Sequence, residues 1–216
     1  MKFWIGVTDN DWYNFLSKIQ PEEVNFWQPG GRSVFRALNL GELFLFKLKY
    51  PDNFIVGGGY FVRHSIIPIS LAWEAFEQKN GANDIVAFRE KIMKHKGKSS
   101  IYEPDPLIGC IILTQPFFFP RDKWIPIPKD WHPNIVQGRT YDTTSSIGKT
   151  LWDKVQNIIA ITSTEPEKVL EVAEDKPRYG PEHPIRPRLG QGAFRVLVTD
   201  AYKRRCQLPE NALCQF

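Results

Sequence analysis

Basic side chains are the groups in this sequence whose type and spacing most directly indicate chemistry. One cluster comprises Lys91, Lys94, His95, Lys96 and Lys98, and the other comprises Arg186, Arg188, Arg195, Lys203, Arg204 and Arg205. The net charge of the whole chain is only +4, so these local concentrations of positive charge could contact a phosphate backbone. For the first cluster a second interpretation is equally good, because cations at the C-terminal end of a helix are stabilised by the helix dipole and need no ligand.

Catalytic motifs with a defined spacing are missing from the sequence. It contains no phosphate-binding loop, no nucleophile elbow and no His-Glu-x-x-His helix, and the glycine triplet at residues 57–59 alone matches none of them. The four histidines lie in different predicted elements and lack the paired spacing of metal ligands. Asp122 and Asp130 flank Trp124 without an evident partner, so we expect loop and capping roles for them. An enzyme that acts through these two carboxylates is an alternative hypothesis.

The composition is that of a globular protein. With 216 residues, 42% of them hydrophobic, the chain can bury one good core. It contains no run long enough to cross a bilayer and no signal segment, so we expect a cytoplasmic protein. Cys110, Cys206 and Cys214 are irregularly spaced, which indicates neither a disulfide framework nor a zinc site. Cys110 is predicted to be a buried small hydrophobic residue.

An α+β domain at residues 1–161 is predicted to position these side chains. Alternating or continuous apolar runs predict strands at residues 3–7, 43–48, 53–62 and 108–114, and helical spacing predicts helices at residues 11–19, 70–78, 84–96 and 144–161. Thr8 or Asp9 can cap the first helix. The glycine triplet inside a strand indicates a bulge or a close approach to the backbone. Prolines and glutamates at residues 162–188 predict an extended connector.

The order of several segments resembles the EVE branch of the PUA-like superfamily, whose relatives include YTH and ASCH domains. The resemblance is carried by the aromatic-rich strand at residues 3–7, the loop at residues 25–32, the Gly-Glu turn and strand at residues 41–46, the strand at residues 55–62 and the segment at residues 134–140. It covers most of residues 1–160. It implies a mixed β-barrel with flanking helices and a pocket for a base, often a modified one, that is flipped out of a nucleic acid.

The same resemblance implies a set of site residues. An extruded base loses its stacking, so the pocket must supply aromatic faces, worth roughly 1–3 kcal/mol per base, together with hydrogen bonds. Trp27, in a loop rich in glycine and proline, is the first candidate for the aromatic wall. The other implied pocket residues are Thr8, Asp9, Gln137, Gly138 and Thr140, and the implied contacts to the nucleic-acid backbone are Arg32, Gly58, Gly59, Arg139, Lys94 and Lys96. Thr8 and Asp9 have helix capping as their alternative role.

Residues 189–206 resemble the opening segment of an HNH endonuclease domain in bacterial restriction-type proteins. In that family the cysteine that corresponds to Cys206 is followed by a Thr-Gly-Glu turn and then by the His and Asn residues that hold a metal and activate water. Residues 207–216 contain neither that turn nor a histidine. Back-translated in a shifted frame, this tail can be read as Ile-Thr-Gly-Glu-Arg-Thr-Leu-Pro-Val, so we expect that a frameshift truncated a longer nuclease. An ordinary divergent C-terminus is the alternative. A hairpin at residues 196–206 would expose an apolar edge.

Together these features predict a DNA-binding module of an HNH restriction-type endonuclease that senses a modified base by flipping it. Its expected partner is duplex DNA with a modified base. No cofactor and no metal site are expected in this chain, since a divalent metal would be held only by an intact HNH domain, and no cleavage by the chain alone is expected. The alternative hypothesis is an RNA-binding PUA-like protein without nuclease function.

Overall fold

A computed structural model describes residues 1–31, 33–96, 103–162 and 190–201, and within these ranges the chain has an α+β fold. The strands are β1 (Lys2–Thr8), β2 (Glu23–Gln28), β3 (Leu43–Leu48), β4 (Phe54–Pro68), β5 (Leu107–Phe118), β6 (Ile125–Pro126) and β7 (Gly138–Asp142). The α-helices are α1 (Asn10–Ile19), α2 (Ile69–Phe76), α3 (Ile85–His95), α4 (Ser146–Thr162) and α5 (Gln191–Ala201), and short 3-10 helices cover Glu77–Asn80 and Arg121–Lys123. The strands and helices predicted from periodicity are confirmed, with differences at their ends.

The described strands form one sheet in the order β2-β5-β4-β3-β1-β7, and β6 pairs with β4. The β1 and β3 strands run parallel, and the other pairs are antiparallel. β2 and β7 are the two edges and do not pair with each other in the described part of the chain. The expected β-barrel is therefore corrected to an open sheet with flanking helices.

Aromatic contacts show that the open sheet is strongly curled. The ring centroids of Phe26 on β2 and Phe44 on β3 lie 4.7 Å apart, although β5 and β4 separate these strands in the sheet. Trp12 on α1 packs at 5.5 Å from Phe26 and at 5.2 Å from Phe46. Strand twist brings the two ends of the sheet toward each other, and α1 fills the remaining gap with side chains instead of backbone pairing.

The strand β3 is covered on both faces, which explains why five of its six residues are apolar. Phe44 and Phe46 belong to the cluster inside the curl, whereas Leu43 and Leu45 belong to a cluster beneath α4. This alternation follows from the two-residue period of a strand. A third cluster lies between β4, β5 and the helices α2, α3 and α5.

The glycine triplet marks an irregular part of the sheet. The register of β4 shifts next to the triplet, both against β3 and against β5, so the predicted bulge is confirmed. A Cβ atom at position 58 would lie 2.6 Å from the carbonyl oxygen of Phe44, and one at position 59 would lie 3.2 Å from the Leu113 side chain. The close approach to the glycine backbone is thus made by the adjacent strands β3 and β5 of the same sheet.

The segment at residues 190–201 belongs to the same folded body as the sheet. Residues 196–201 are helical, so the predicted hairpin is wrong for this part because α5 buries one face in the helix-covered cluster. Ala193 and Val196 are fully buried there. Residues 163–189, most of the predicted connector, and residues 202–216, the rest of the HNH-like segment, lie outside the described residues.

Candidate nucleic-acid interface

A cavity of about 650 Å³ lies on the open side of the curled sheet, where the ends of β1 and β2 approach each other. Its aromatic walls come from Trp12, Phe26 and Trp27. Its polar and charged walls include Thr8, Asp9, Gln28, Lys49, His95 and Gln137. The edge strands β2 and β7 do not pair with each other in the described part of the chain, and the open seam leaves the space that these side chains line.

Trp27 is part of strand β2 and pairs with Cys110, so the expectation that it lies in a loop is corrected. The indole Nε1–H donates a 3.1 Å hydrogen bond to the carbonyl oxygen of Asn80. The Trp27 ring lies 6.1 Å from that of Phe88 and 6.2 Å from that of His95. Trp27 is half-buried and lines the cavity, so its aromatic surface is held in place before any ligand arrives.

Thr8 and Asp9 both line the cavity, and Asp9 also caps α1. The Asp9 carboxylate accepts a 3.1 Å hydrogen bond from the backbone N–H of Asp11 and lies 3.1 Å from Lys49 Nζ. Burial acts to raise the pKa of Asp9, but the hydrogen bonds from Lys49 and Asp11 and the charges of Lys49 and His95 outweigh it, so the pKa is lowered. The capping and cavity roles of Asp9 are therefore compatible in one geometry. Thr8 is only 3% exposed.

Of the segment at residues 137–140, only Gln137 lines the cavity. Its carbonyl oxygen accepts a 2.9 Å hydrogen bond from Val7 N–H, which fixes this loop beside the end of β1. Gly138 pairs with Gly6, and a Cβ atom there would collide with the Ile5 carbonyl oxygen and the Trp4 ring. Thr140 is exposed and pairs with Trp4. Gly138 and Thr140 thus serve strand pairing, away from the cavity.

The residues expected to contact a nucleic-acid backbone are dispersed. Lys94 is exposed at the end of α3, and Lys96 lines the cavity but donates a 3.0 Å hydrogen bond to the carbonyl oxygen of Leu107. Arg139 pairs with Asp130 at 2.9 Å and shares a sheet face with Tyr141. That face packs toward α4, opposite the curl.

Two further expectations for backbone contact concern Gly58, Gly59 and Arg32. Gly58 and Gly59 are buried in the middle of the sheet, so in this conformation a phosphate backbone does not reach them. Arg32 lies outside the described residues.

Several cavity residues were missed by sequence reasoning. Lys49 directly follows β3, and His95 lies at the end of α3 in the basic cluster noted in the sequence. Trp12 on α1 is 3% exposed and also lines the cavity, and its Nε1 has no hydrogen-bond partner among the described residues. Only the curl of the sheet brings these three elements together. Gln28 offered a local signal, since it follows Trp27 directly.

A second cavity of about 670 Å³ contains none of the predicted base-pocket or backbone-contact residues, but Asp122, one of the two carboxylates of the enzyme hypothesis, lines it. It is lined by aromatic residues that include Tyr13, Phe118 and Trp124. Trp124 is half-buried, like Trp27, and its Nε1–H also donates a 3.1 Å hydrogen bond to a main-chain carbonyl, that of Phe119. It therefore offers a matched control for experiments on Trp27.

Two kinds of feature are absent from the described residues, a metal-binding cluster and a membrane-spanning helix. In the ranges 1–31, 33–96, 103–162 and 190–201, no group of three or more His, Cys, Asp or Glu side chains is arranged to hold a metal ion. None of the helices described in these ranges combines the length and the apolar character needed to cross a membrane.

No family model and no curated protein matches the chain. Among solved structures, it is similar to the ASCH structure from Zymomonas mobilis, with 8% identity and a TM-score of 0.47 over 70% of this chain and 94% of that chain. A variant of that protein with one tyrosine replaced by phenylalanine gives 8% identity and a TM-score of 0.46 over 72% and 99%. A variant with one serine replaced by alanine has 5% identity and a TM-score of 0.42, over 74% of this chain and 95% of that chain. All three of these structures are of the ASCH protein from Zymomonas mobilis.

Proposed function

We propose that this chain binds nucleic acid and that its cavity accepts one base removed from its stack. The observation that carries the proposal is the position of Trp27, an aromatic side chain fixed by its hydrogen bond to Asn80 in the wall of a cavity. A base that leaves its stack needs an aromatic surface in exchange. Because the indole is already held in place, little side-chain entropy is lost when a base binds.

The other walls of the cavity suit the edge of a base. Gln28 and Gln137 carry amides that can both donate and accept hydrogen bonds, and Thr8 carries a hydroxyl group. The volume of about 650 Å³ falls within the range of roughly 300–1,000 Å³ that is typical of small-molecule sites. The cavity thus has room for a base together with its sugar.

Positive charge near the cavity suits the phosphates that flank a bound base. Lys49, His95 and Lys96 line the cavity, and Lys94 is exposed on the same helix end as His95. Asp9 offsets the charge of Lys49, to which it is paired. Lys96 likewise lies 4.0 Å from Glu103, which also lines the cavity. Exposed Lys94 therefore supplies most of the attraction for a backbone in this proposal.

In its finer form, the proposal is that the ligand is duplex DNA with a modified base and that the chain is the sensing module of an HNH restriction-type endonuclease. The support is the resemblance of residues 1–160 to EVE domains and of residues 189–206 to the start of an HNH domain. Since residues 207–216 contain no histidine that could hold the metal of that family, we expect binding without cleavage by residues 1–216.

The test is equilibrium binding to matched fluorescent duplexes that are unmodified or contain 5-methylcytosine, 5-hydroxymethylcytosine or N6-methyladenine. We expect one modified duplex to bind most tightly and Trp27→Ala to weaken that binding about 10-fold or more. Trp124→Ala, which removes an indole of matched burial and hydrogen bonding, is expected to leave it unchanged. Equal binding to all duplexes, unaffected by Trp27→Ala, would contradict the proposal.

A single-stranded RNA of matched sequence separates the two nucleic-acid classes. Tighter binding to this RNA than to every duplex, with the same loss in Trp27→Ala, would favour the RNA-binding alternative. The cavity would then keep its role as a base site, and only the assignment to modified DNA would fail.

A further inference from the structure

Three alternate side chains of β2 contact the same 3-10 helix, Glu77–Asn80. Glu23 Oε1 lies 2.9 Å from Lys79 Nζ. Asn25 Nδ2 donates a 2.8 Å hydrogen bond to Asn80 Oδ1, and Trp27 Nε1 donates a 3.1 Å hydrogen bond to the Asn80 carbonyl oxygen. Residues at positions i, i+2 and i+4 of a strand share a face, so one short helix connects Glu23 with the cavity residue Trp27.

Helix α5 is attached to the opposite end of this network. The Glu23 carboxylate accepts hydrogen bonds of 2.7 Å from Gly192 N–H and 3.0 Å from Ala193 N–H. Glu23 is fully buried, and therefore these two donors and Lys79 are what compensate its lost hydration. If α5 left, the carboxylate would lose both backbone donors at once, and a buried acceptor without partners is costly.

The fit of α5 is close and extends over its whole length. A Cβ atom on Gly192 would collide with the Ala75 carbonyl oxygen and the Phe76 ring. At the other end of the helix, Asp200 accepts hydrogen bonds of 3.0 Å from Arg63 and 2.9 Å from Ser65. The helix is thus seated by close contact at one end and by an ion pair at the other.

Asn80 links the two ends of the network rigidly. It is fully buried, and its Nδ2 donates hydrogen bonds to the carbonyl oxygens of Ala72 at 3.1 Å and Glu77 at 2.9 Å. A shift of Lys79 that follows the loss of α5 would therefore move the carbonyl group that holds the Trp27 indole. Coupling between two sites needs a connected element of this kind whose position both sites influence.

We infer that docking of α5 and seating of Trp27 are coupled through Glu23, Lys79 and Asn80, so that α5 docking and base binding favour each other. The part of the inference that concerns base binding rests on the proposed function. By thermodynamic linkage, the effect is reciprocal: a bound base stabilises docked α5 by the same factor by which docked α5 strengthens binding of the base. Asn80 is then a positioning residue for Trp27. Glu23 links α5 to Asn80, because it contacts both α5 and Lys79.

The test uses the full chain with Gly192→Ala, which releases α5 by collision, and Phe194→Ala as the matched control. Phe194 lies on the same helix but is 61% exposed, so its loss leaves the docked face intact. Docking is measured by hydrogen exchange of the amides at residues 192–196, and seating of Trp27 by the NMR resonance of its indole N–H. The third measurement is the affinity of each variant for the modified duplex.

In Gly192→Ala we expect faster amide exchange in α5, a shifted Trp27 indole resonance and base-dependent binding weaker by about 5-fold or more. In Phe194→Ala we expect none of these changes. Release of α5 with an unchanged Trp27 resonance and unchanged affinity would overturn the inference. If Gly192→Ala leaves α5 docked, Glu23→Gln is the second variant, and failure of both to release the helix would overturn it as well.

The outcomes separate this inference from the proposed function. If the wild-type chain binds no nucleic acid, the proposed function fails. The Trp27 resonance still reports whether the helix and the indole are coupled. If the chain binds a base but Gly192→Ala changes neither the resonance nor the affinity after release of α5, only the coupling fails.

Discussion

Lys49 Nζ lies 3.1 Å from the Asp9 carboxylate, and this pair joins the residue that follows β3 to the cap of α1 in the wall of the cavity. The two residues come from separate elements, so the pair also fixes how α1 sits against the sheet. Both side chains keep substantial exposure, 44% for Lys49 and 40% for Asp9, so solvent screens their attraction. The effect of the pair is therefore best detected through the pH dependence of the free energy of unfolding.

We expect Asp9→Asn to be less stable than the wild type near neutral pH, and this difference to vanish in acid. The folded pKa of Asp9 lies below its ordinary value of 3.8. A lowered folded pKa contributes stability that is present above the unfolded pKa and is lost as the pH falls through the folded pKa. Urea unfolding of both proteins at about pH 7 and about pH 3 measures the effect. An equal difference at both values would contradict it.

Lys94 and Lys96 are expected to respond differently to substitution, although they are two residues apart. Lys94 is exposed, so Lys94→Ala should lower the salt dependence of nucleic-acid binding by about one unit of slope. Lys96 Nζ donates a hydrogen bond to Leu107, so Lys96→Ala should also cost about 0.5–1.5 kcal/mol of unfolding free energy. Binding titrations at several salt concentrations and urea unfolding distinguish the two. Equal slopes in Lys94→Ala and wild type would remove Lys94 from the interface.

Gly58→Ala is expected to destabilise the fold by about 1–3 kcal/mol through overpacking. The new methyl group would meet the Phe44 carbonyl oxygen at 2.6 Å. Gly30→Ala is the control, because no atom of the described residues lies within 4 Å of its added Cβ, and it should be close to neutral. Urea unfolding measures both. A stable Gly58→Ala protein with weakened nucleic-acid binding would instead favour the backbone contact expected from sequence.

Cys110 is expected to be inert toward thiol reagents in the folded protein. Complete burial raises the pKa of its thiol to about 12, against a smaller opposing effect of its hydrogen bond with Asn25. The reactive thiolate is then scarce at ordinary pH, and the reagent has no access. A chain with Cys206→Ser and Cys214→Ser should react with an aromatic disulfide only after urea is added. Rapid reaction without urea would show that β5 opens locally.

Local patterns predicted the elements better than the site. Five of the six residues of Leu43–Leu48 are apolar, and Asp84 precedes an apolar helical period, so their strand and helix could be recognised directly. The strand that contains Trp27 could not be recognised from sequence because Asn25, on the same face of β2, is polar. Asn25 is buried only through its hydrogen bond with Asn80, which is far away in sequence. The strand conformation of β2 is set by its pairing with β5, and no local spacing encodes that pairing.

The cavity itself could be predicted only in part. Trp27, Thr8, Asp9 and Gln137 were expected and line it. Lys49 reaches it only because β3 lies beside β1 in parallel, an arrangement that the sequence does not encode locally. The glycine triplet did not distinguish a binding site from a structural contact. Gly58 permits the close approach of a neighbouring strand as readily as the approach of a ligand.

The open seam between β2 and the end of the sheet that β1 and β7 form has a consequence for how this fold can diverge. A closed barrel would fix the walls of its interior by a continuous hydrogen-bond ladder, whereas here the seam consists of side chains such as Trp12 and Phe26. The side chains of half-buried Gln28 and exposed Gln137, which line this seam, can therefore be exchanged without breaking a strand pair. Descendants of this fold could acquire new ligand preferences through substitutions at the seam while the sheet keeps its register.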